Sequence, residues 1–267
     1  MQFVQCFDVK ENPKNWLDKI DRISDETEKN YYALFPEEDK LRDLLPDAFV
    51  YNRPINKVGG HGYWLYEKNS CIYLAIFDCI GEGHLASMMA RIYAKALKKL
   101  VVDYKIEFPG SILQFIHREI KAKFKDKNNV ILNTGADLGI LKIDTKDNVM
   151  DFAGARIDLW HVVDGQLKVI KGDELQIGEY FDQQHEYSTL KIDTSVPSNY
   201  YLMSSGVWDL KGGPTYKGLG RENLSQFLIK VRDQKMEDQK SLLTKLINNW
   251  KGTYEQSHDL LMIGFEM

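Results

Sequence analysis

The sequence predicts a layered α+β fold, with sheets in the middle and helices outside. Three observations lead there. The apolar period changes from helical to strand-like near residue 47. Strand-like runs then come in blocks separated by pairs of helical segments, without the βαβα alternation of a parallel sheet. Short turn phrases such as DTKDN and VDGQ divide the longest block, as expected for antiparallel neighbours.

The elements follow in chain order. Residues 11–46 are polar and charged, with apolar positions at helical spacing: Trp16, Ile20 and Ile23, then Leu41, Leu44 and Leu45. This reads as one or two helices broken at Pro36 and ended by Pro46, an amphipathic lead-in (residues 1–46) to a main domain (47–267). DAFVYNRP, GYWLYE and CIYLAIFD read as strands, with KNS as a hairpin turn. Helical pattern covers 85–102 and 111–125. In the first of these Met88, Met89, Ile92 and Tyr93 form a stripe expected to face the core. ADLGILKID, NVMDFAGA, IDLWHVV, LKVIKG, YSTLKID and YYLMSSG continue as strands, helices follow at 222–234 and 239–250, and LLMIGFEM closes the chain as a strand.

Bulk properties exclude several classes. The 267 residues suit one large domain, and a net charge of −4 with dispersed Lys and Arg gives no case for nucleic acid. Cys6, Cys71 and Cys79 form no CxxC pair, so neither a disulfide framework nor a zinc finger is indicated. Cys71 and Cys79 are expected to behave as small buried hydrophobes. No apolar run approaches the roughly 18 residues of a membrane span. The first residues lack a signal-peptide pattern, so a cytoplasmic location is the expectation.

Polar residues beside glycine or a tight turn recur at strand ends: His61 in GGHGYW, Asp78 in FDCIGEG, Ser205 and Asp209 in MSSGVWD, His258 and Asp259 in QSHDLLMIG. Glycine there lets backbone approach a ligand. Each place alone is ordinary, since an Asp after a strand is commonly a turn or cap residue. His84, His117, His161 and His185 have no motif around them and read as structural.

In order, the phrases LFPEEDKLRDLLPDAFVYNRP, GGHGYWL, IFDCIGEGH, TGADLGILKID, DFAGARIDLW, KGDELQIGEY, MSSGVWDLKGGP and WKGTYEQSHDLLMIGF resemble the SpoIIE-type branch of the metal-dependent type 2C serine/threonine phosphatases, from about residue 35 to the C-terminus. That resemblance implies a four-layer α-β-β-α sandwich of two mainly antiparallel sheets between helix pairs. It also implies dephosphorylation of small regulatory proteins in bacterial partner-switching circuits. Family members hold two divalent cations, manganese or magnesium, on clustered aspartates, because hard cations take charged oxygen ligands. The metals bind the phosphate and activate a water.

Carried over by position, Asp78 matches the bridging aspartate and Cys79 would offer its backbone carbonyl. The family's Ser-Gly-Asp acid falls on His61, its Ser/Thr-Asp-Gly aspartate on Ser205, and the first acid of its Asp-Asp pair on His258. Asp209 and Asp259 are kept, Asp137 matches an aspartate near the metal edge, and Glu82 stands where the family has histidine. Three of four principal carboxylates are therefore replaced, which opposes two dications. The reading is a pseudophosphatase domain that keeps a surface for a regulatory phosphoprotein. One alternative is an active phosphoserine/phosphothreonine phosphatase with an altered metal requirement. A second is a single transition-metal site, zinc or iron, at His61, Asp78 and His258, since imidazoles with one carboxylate suit such metals. The lead-in helices are a candidate dimerisation element.

Overall fold

The computed structural model describes residues 35–56, 59–81, 83–124, 135–179 and 185–267. Helix α1 (Glu38–Leu44) precedes strands β1 (Ala48–Arg53), β2 (His61–Lys68) and β3 (Cys71–Cys79). Helix α2 (Gly83–Lys98) runs into a π-helical turn (Lys99–Asp103), and α3 (Pro109–Lys123) follows. Strands β4 (Ala136–Asp144), β5 (Val149–Ala155), β6 (Leu159–Val163), β7 (Gln166–Ile170), β8 (Leu190–Asp193) and β9 (Asn199–Met203) come next. Then come the short helix α4 (Gly206–Asp209), the hairpin β10 (Lys211–Gly212) with β11 (Lys217–Gly218), helices α5 (Arg221–Val231) and α6 (Met236–Lys251), and strand β12 (Leu260–Glu266).

Two five-stranded antiparallel sheets result, ordered β1-β12-β9-β6-β7 and β2-β3-β4-β5-β8. The α+β four-layer sandwich is as expected. The hairpin β10–β11 was not anticipated, because two-residue strands carry no periodic signal. YSTLKID forms a strand only over its last four residues. The first lead-in helix, with Trp16, Ile20 and Ile23, lies outside the described residues, as does any dimerisation through it.

Three apolar layers follow from strand alternation. In β3, Tyr73, Ala75 and Phe77 face α2 and α3 together with Met89, Tyr93 and Ile116. Ile72, Leu74 and Ile76 face inward between the sheets, where Leu41, Leu202, Ile263 and Phe265 meet them. On the far side Phe49, Tyr201 and Met262 pack under α5 and α6. Leu41 and Leu45 of the lead-in are thus part of the central layer. Met88 departs from expectation: it is 45% exposed and Ile92 is half-buried, while Met89 and Tyr93 are buried. Adjacent helical residues lie about 100° apart, so the helix cannot seat both methionines on one narrow sheet-facing stripe. Cys79 is buried as expected, and Cys71 is only half-buried beside Asp144.

Phe35 and Pro36 run along β2. The Tyr63 hydroxyl donates to the Pro36 carbonyl, and the Phe35 ring lies 6.1 Å from that of Phe77. A Cβ on Gly62 would strike Phe35 and come within 2.6 Å of Phe77. Gly62→Ala is therefore expected to cost about 1–3 kcal/mol by overpacking. A urea midpoint equal to that of the wild type would refute this.

Candidate functional site

The same alternation that builds the core decides which polar side chains meet. His61 has the parity of Tyr63 on β2, Asp78 that of Ile76 on β3, Asp137 that of Leu141 on β4, and residue 259 that of Leu261 on β12. All four therefore turn toward the space between the sheets, at the end where β2, β4 and β12 begin and β3 and β9 finish. The register places His61 opposite Asp78 and Asp78 opposite Asp137, a row of three polar residues across three strands. Asp259 reaches the row from the other sheet.

A pocket of about 300 Å³ opens there, and His61, Asp78, Cys79, Ser205, His258 and Asp259 all line it. His61 Nε2 lies 3.1 Å from Asp78 Oδ2, and Nδ1 lies 3.3 Å from Asp259 Oδ2. Burial alone would push the imidazole pKa down, but the carboxylates of Asp259 and Asp78 outweigh it and raise the value to about 9. His61 is therefore an imidazolium at neutral pH, held between two carboxylates.

Asp259 also holds backbone in place. Its Oδ1 accepts from the Ile55 N–H at 2.7 Å and its Oδ2 from the Gly60 N–H at 3.3 Å. A side chain on Gly59 would collide with the same carboxylate, so glycine is required for this approach. Burial pushes the Asp259 pKa up, but the contacts with His61, Ile55 and Gly60 prevail and hold it below the usual carboxylate range.

Asp137 lies at the next position of the row. The Gln176 side-chain amide donates to its Oδ1 at 2.8 Å, and Arg156 Nε lies 3.6 Å away. Burial raises its pKa to about 6 against the opposing pull of Arg156 and Gln176. Arg156 takes a left-handed backbone conformation (φ 58°) in the tight connection from β5 to β6. Neither Arg156 nor Gln176 was singled out in the sequence. An arginine one residue past a strand whose register leads to Asp137 was the available signal.

Ser205 lies half-buried at the start of α4 and His258 sits exposed at the lip of the pocket. Asp209 is exposed and does not line the pocket. Glu82 lies outside the described residues. His117 is buried, accepts from the Gly178 N–H at 3.3 Å and contacts the Tyr187 hydroxyl at 3.1 Å, which is a structural role.

Two dications need several anionic oxygens, and the pocket offers the carboxylates of Asp78 and Asp259, both already facing an imidazolium. Both nitrogens of His61 face a carboxylate, so joining His258 on a shared transition metal would require one of these contacts to open. Among the described residues no group of three His, Cys, Asp or Glu side chains converges with metal-holding geometry. As placed, the residues do not fit the metal centre that the resemblance implies.

No protein-family model and no curated protein matches this sequence. Solved structures do match its fold. The SiaA-PP2C domain of Pseudomonas aeruginosa superposes with a TM-score of 0.84 at 22% identity, over 94% of this chain and 98% of that one. RsbX in complex with magnesium gives 0.55 at 15% identity, over 82% and 94%. The PP2C phosphatase domain of SpoIIE from Bacillus subtilis, with a fragment of its regulatory domain, gives 0.67 at 14% identity, over 83% and 63%. The chain therefore has the type 2C phosphatase fold.

Proposed function

We propose that this chain is a pseudophosphatase: a type 2C phosphatase-fold domain that has lost turnover and acts by binding a regulatory phosphoprotein in a bacterial, partner-switching-like signalling pathway. One observation carries the reading: the His61 imidazole lies between the carboxylates of Asp78 and Asp259, 3.1 Å from one and 3.3 Å from the other. Where the family places an acid for a metal, this chain places a cation. One cation between two carboxylates leaves the pocket a net −1, so the pull on a dication is weakened while three of its ligands are replaced. Asp137 also faces a cation, with Arg156 Nε 3.6 Å from its carboxylate. What remains is a frame of two sheets with a polar pocket at one end, suited to recognition.

A single zinc or iron at His61, Asp78 and His258 is the second reading, favoured by the three lining one pocket. It requires His61 to leave one of its carboxylates. The test is hydrolysis of p-nitrophenyl phosphate and of a phosphoserine peptide with manganese, magnesium or zinc, alongside elemental analysis of the purified protein. The expected result is no turnover above the Asp78→Ala variant and metal far below one per chain. Turnover that Asp78→Ala abolishes would establish an active enzyme with an altered metal requirement. A stoichiometric metal lost in His258→Ala would establish the second reading.

A further inference from the structure

Helix α2 begins beside the pocket and leads away from it for 16 residues, about 24 Å. Its buried side packs on the sheet through Met89, Tyr93 and Leu97. Its outer side carries Leu85, Met88, Arg91, Lys95 and Lys98, all exposed and spaced by three or four residues along one face. The helix contains no acidic residue at all, in a chain whose net charge is −4. Among the described residues no carboxylate lies within ion-pair distance of Arg91, Lys95 or Lys98.

The strip is polarised. Its two apolar residues, 47% and 45% exposed, are at the pocket end, and its cations are beyond them. A Cβ at Gly81, which lines the pocket, would lie 3.7 Å from the Leu85 side chain. Ile55, 47% exposed, lines the same pocket. Exposed large side chains are ordinary when scattered, but here they gather around one opening.

We infer that this face of α2 is the docking strip for an acidic segment of a partner protein, whose apolar residues seat on Leu85 and Met88 and whose carboxylates meet Arg91, Lys95 and Lys98. Charge complementarity selects the occupant. A segment laid along the strip is delivered to the pocket mouth, so the strip would orient the residue presented there. A membrane surface fits less well, because an interfacial helix needs its apolar residues along its whole length rather than at one end. The inference rests on the reading of the chain as a partner-binding domain.

The experiment places p-benzoylphenylalanine at Met88, and separately at Val196 as a control, in full-length protein in cells that naturally make it. Val196 is 52% exposed and precedes β9, at the end of the sheet away from Ser205. Cross-linking is expected from Met88 and not from Val196, to a protein whose attached peptide carries both acids and apolar residues. With that protein purified, Leu85→Glu and Met88→Glu should each weaken binding about tenfold or more. Arg91→Glu with Lys95→Glu should slow association and flatten its salt dependence, while Val196→Glu changes nothing. All positions are exposed, and unaltered melting curves establish that the variants fold. A partner bound equally by wild type and Met88→Glu overturns the strip and leaves the partner-binding reading standing. So does a basic contact peptide, or an absent cross-link at Met88. Co-sedimentation with phosphatidylserine vesicles that Met88→Glu abolishes would reassign the strip to membrane. Turnover in the phosphatase assay would overturn the pseudophosphatase reading without touching the strip.

Discussion

Replacing His61, Ser205 and His258 together by aspartate is expected to create a manganese-binding centre where the wild type has none. Charge sets the expectation. The wild-type pocket holds Asp78 and Asp259 against one imidazolium, −2 + 1, a net −1. The triple variant would hold those two carboxylates and three new ones, −5, with no cation among them. Two dications return that to −1, the charge the wild-type frame already tolerates. Without metal the variant should be the less stable protein, because five carboxylates crowd one opening. With manganese at about a hundred times its dissociation constant, binding adds about 2.7 kcal/mol. For a domain of this size that raises the melting temperature by about 5–10 °C. The wild type should not respond. Phosphatase turnover should appear in the variant with manganese and disappear with chelator. A melting temperature indifferent to manganese in both proteins would show that the frame, and not only its acids, has departed from a metal-binding geometry. Restoring His61 alone should remove most of the gain, since the effects belong to one coupled site.

Much of the frame behind this prediction could be read from residues before any coordinates. The period-2 alternation of CIYLAIFD assigns Ile72, Leu74 and Ile76 to one face and so, by continuation, aims Asp78 the same way. The same count along LLMIGFE aims Asp259 toward it. What alternation does not supply is distance across the chain. His61 and Asp259 are separated by nearly two hundred residues, and their 3.3 Å contact depends on how two sheets stack. By position alone His61 reads as a replaced ligand; in space it lies between two carboxylates. The position of Arg156 depends on register in a related way. An arginine after a strand is ordinary, and only the sheet register carries it to Asp137. Two adjacent methionines in an apolar run both read as core, whereas helix phase exposes Met88 and buries Met89.

His61→Leu should be the most damaging single substitution in the pocket, and its cost should depend on pH in a way that no packing defect imitates. Leucine fills part of the volume but leaves Asp78 and Asp259 facing each other without the cation that lay between them. Breaking a buried charged pair by removing one partner costs about 3–5 kcal/mol. The pH dependence follows from the direction of each shift. The His61 pKa is raised on folding from 6.5 to about 9. Its stabilisation is therefore complete below pH 6.5 and fades as pH rises through 9, a span worth roughly 3 kcal/mol. The difference between wild type and variant should shrink correspondingly toward pH 9 and above. It should also shrink on the acid side. The Asp259 pKa is lowered in the wild type, so its contribution is lost as pH falls below the normal carboxylate range. In the variant the two carboxylates repel, one takes up a proton readily, and mild acid relieves the strain. The expected difference is thus bell-shaped, greatest between about pH 6 and 7. Burial of Cys79, Tyr73 and Tyr93 also lowers stability at alkaline pH, but those groups are common to both proteins and cancel in the comparison. Urea unfolding at pH 5, 7 and 9 measures it. A difference that stays constant across the three would mean that His61 is held by packing and carries no charge between its aspartates.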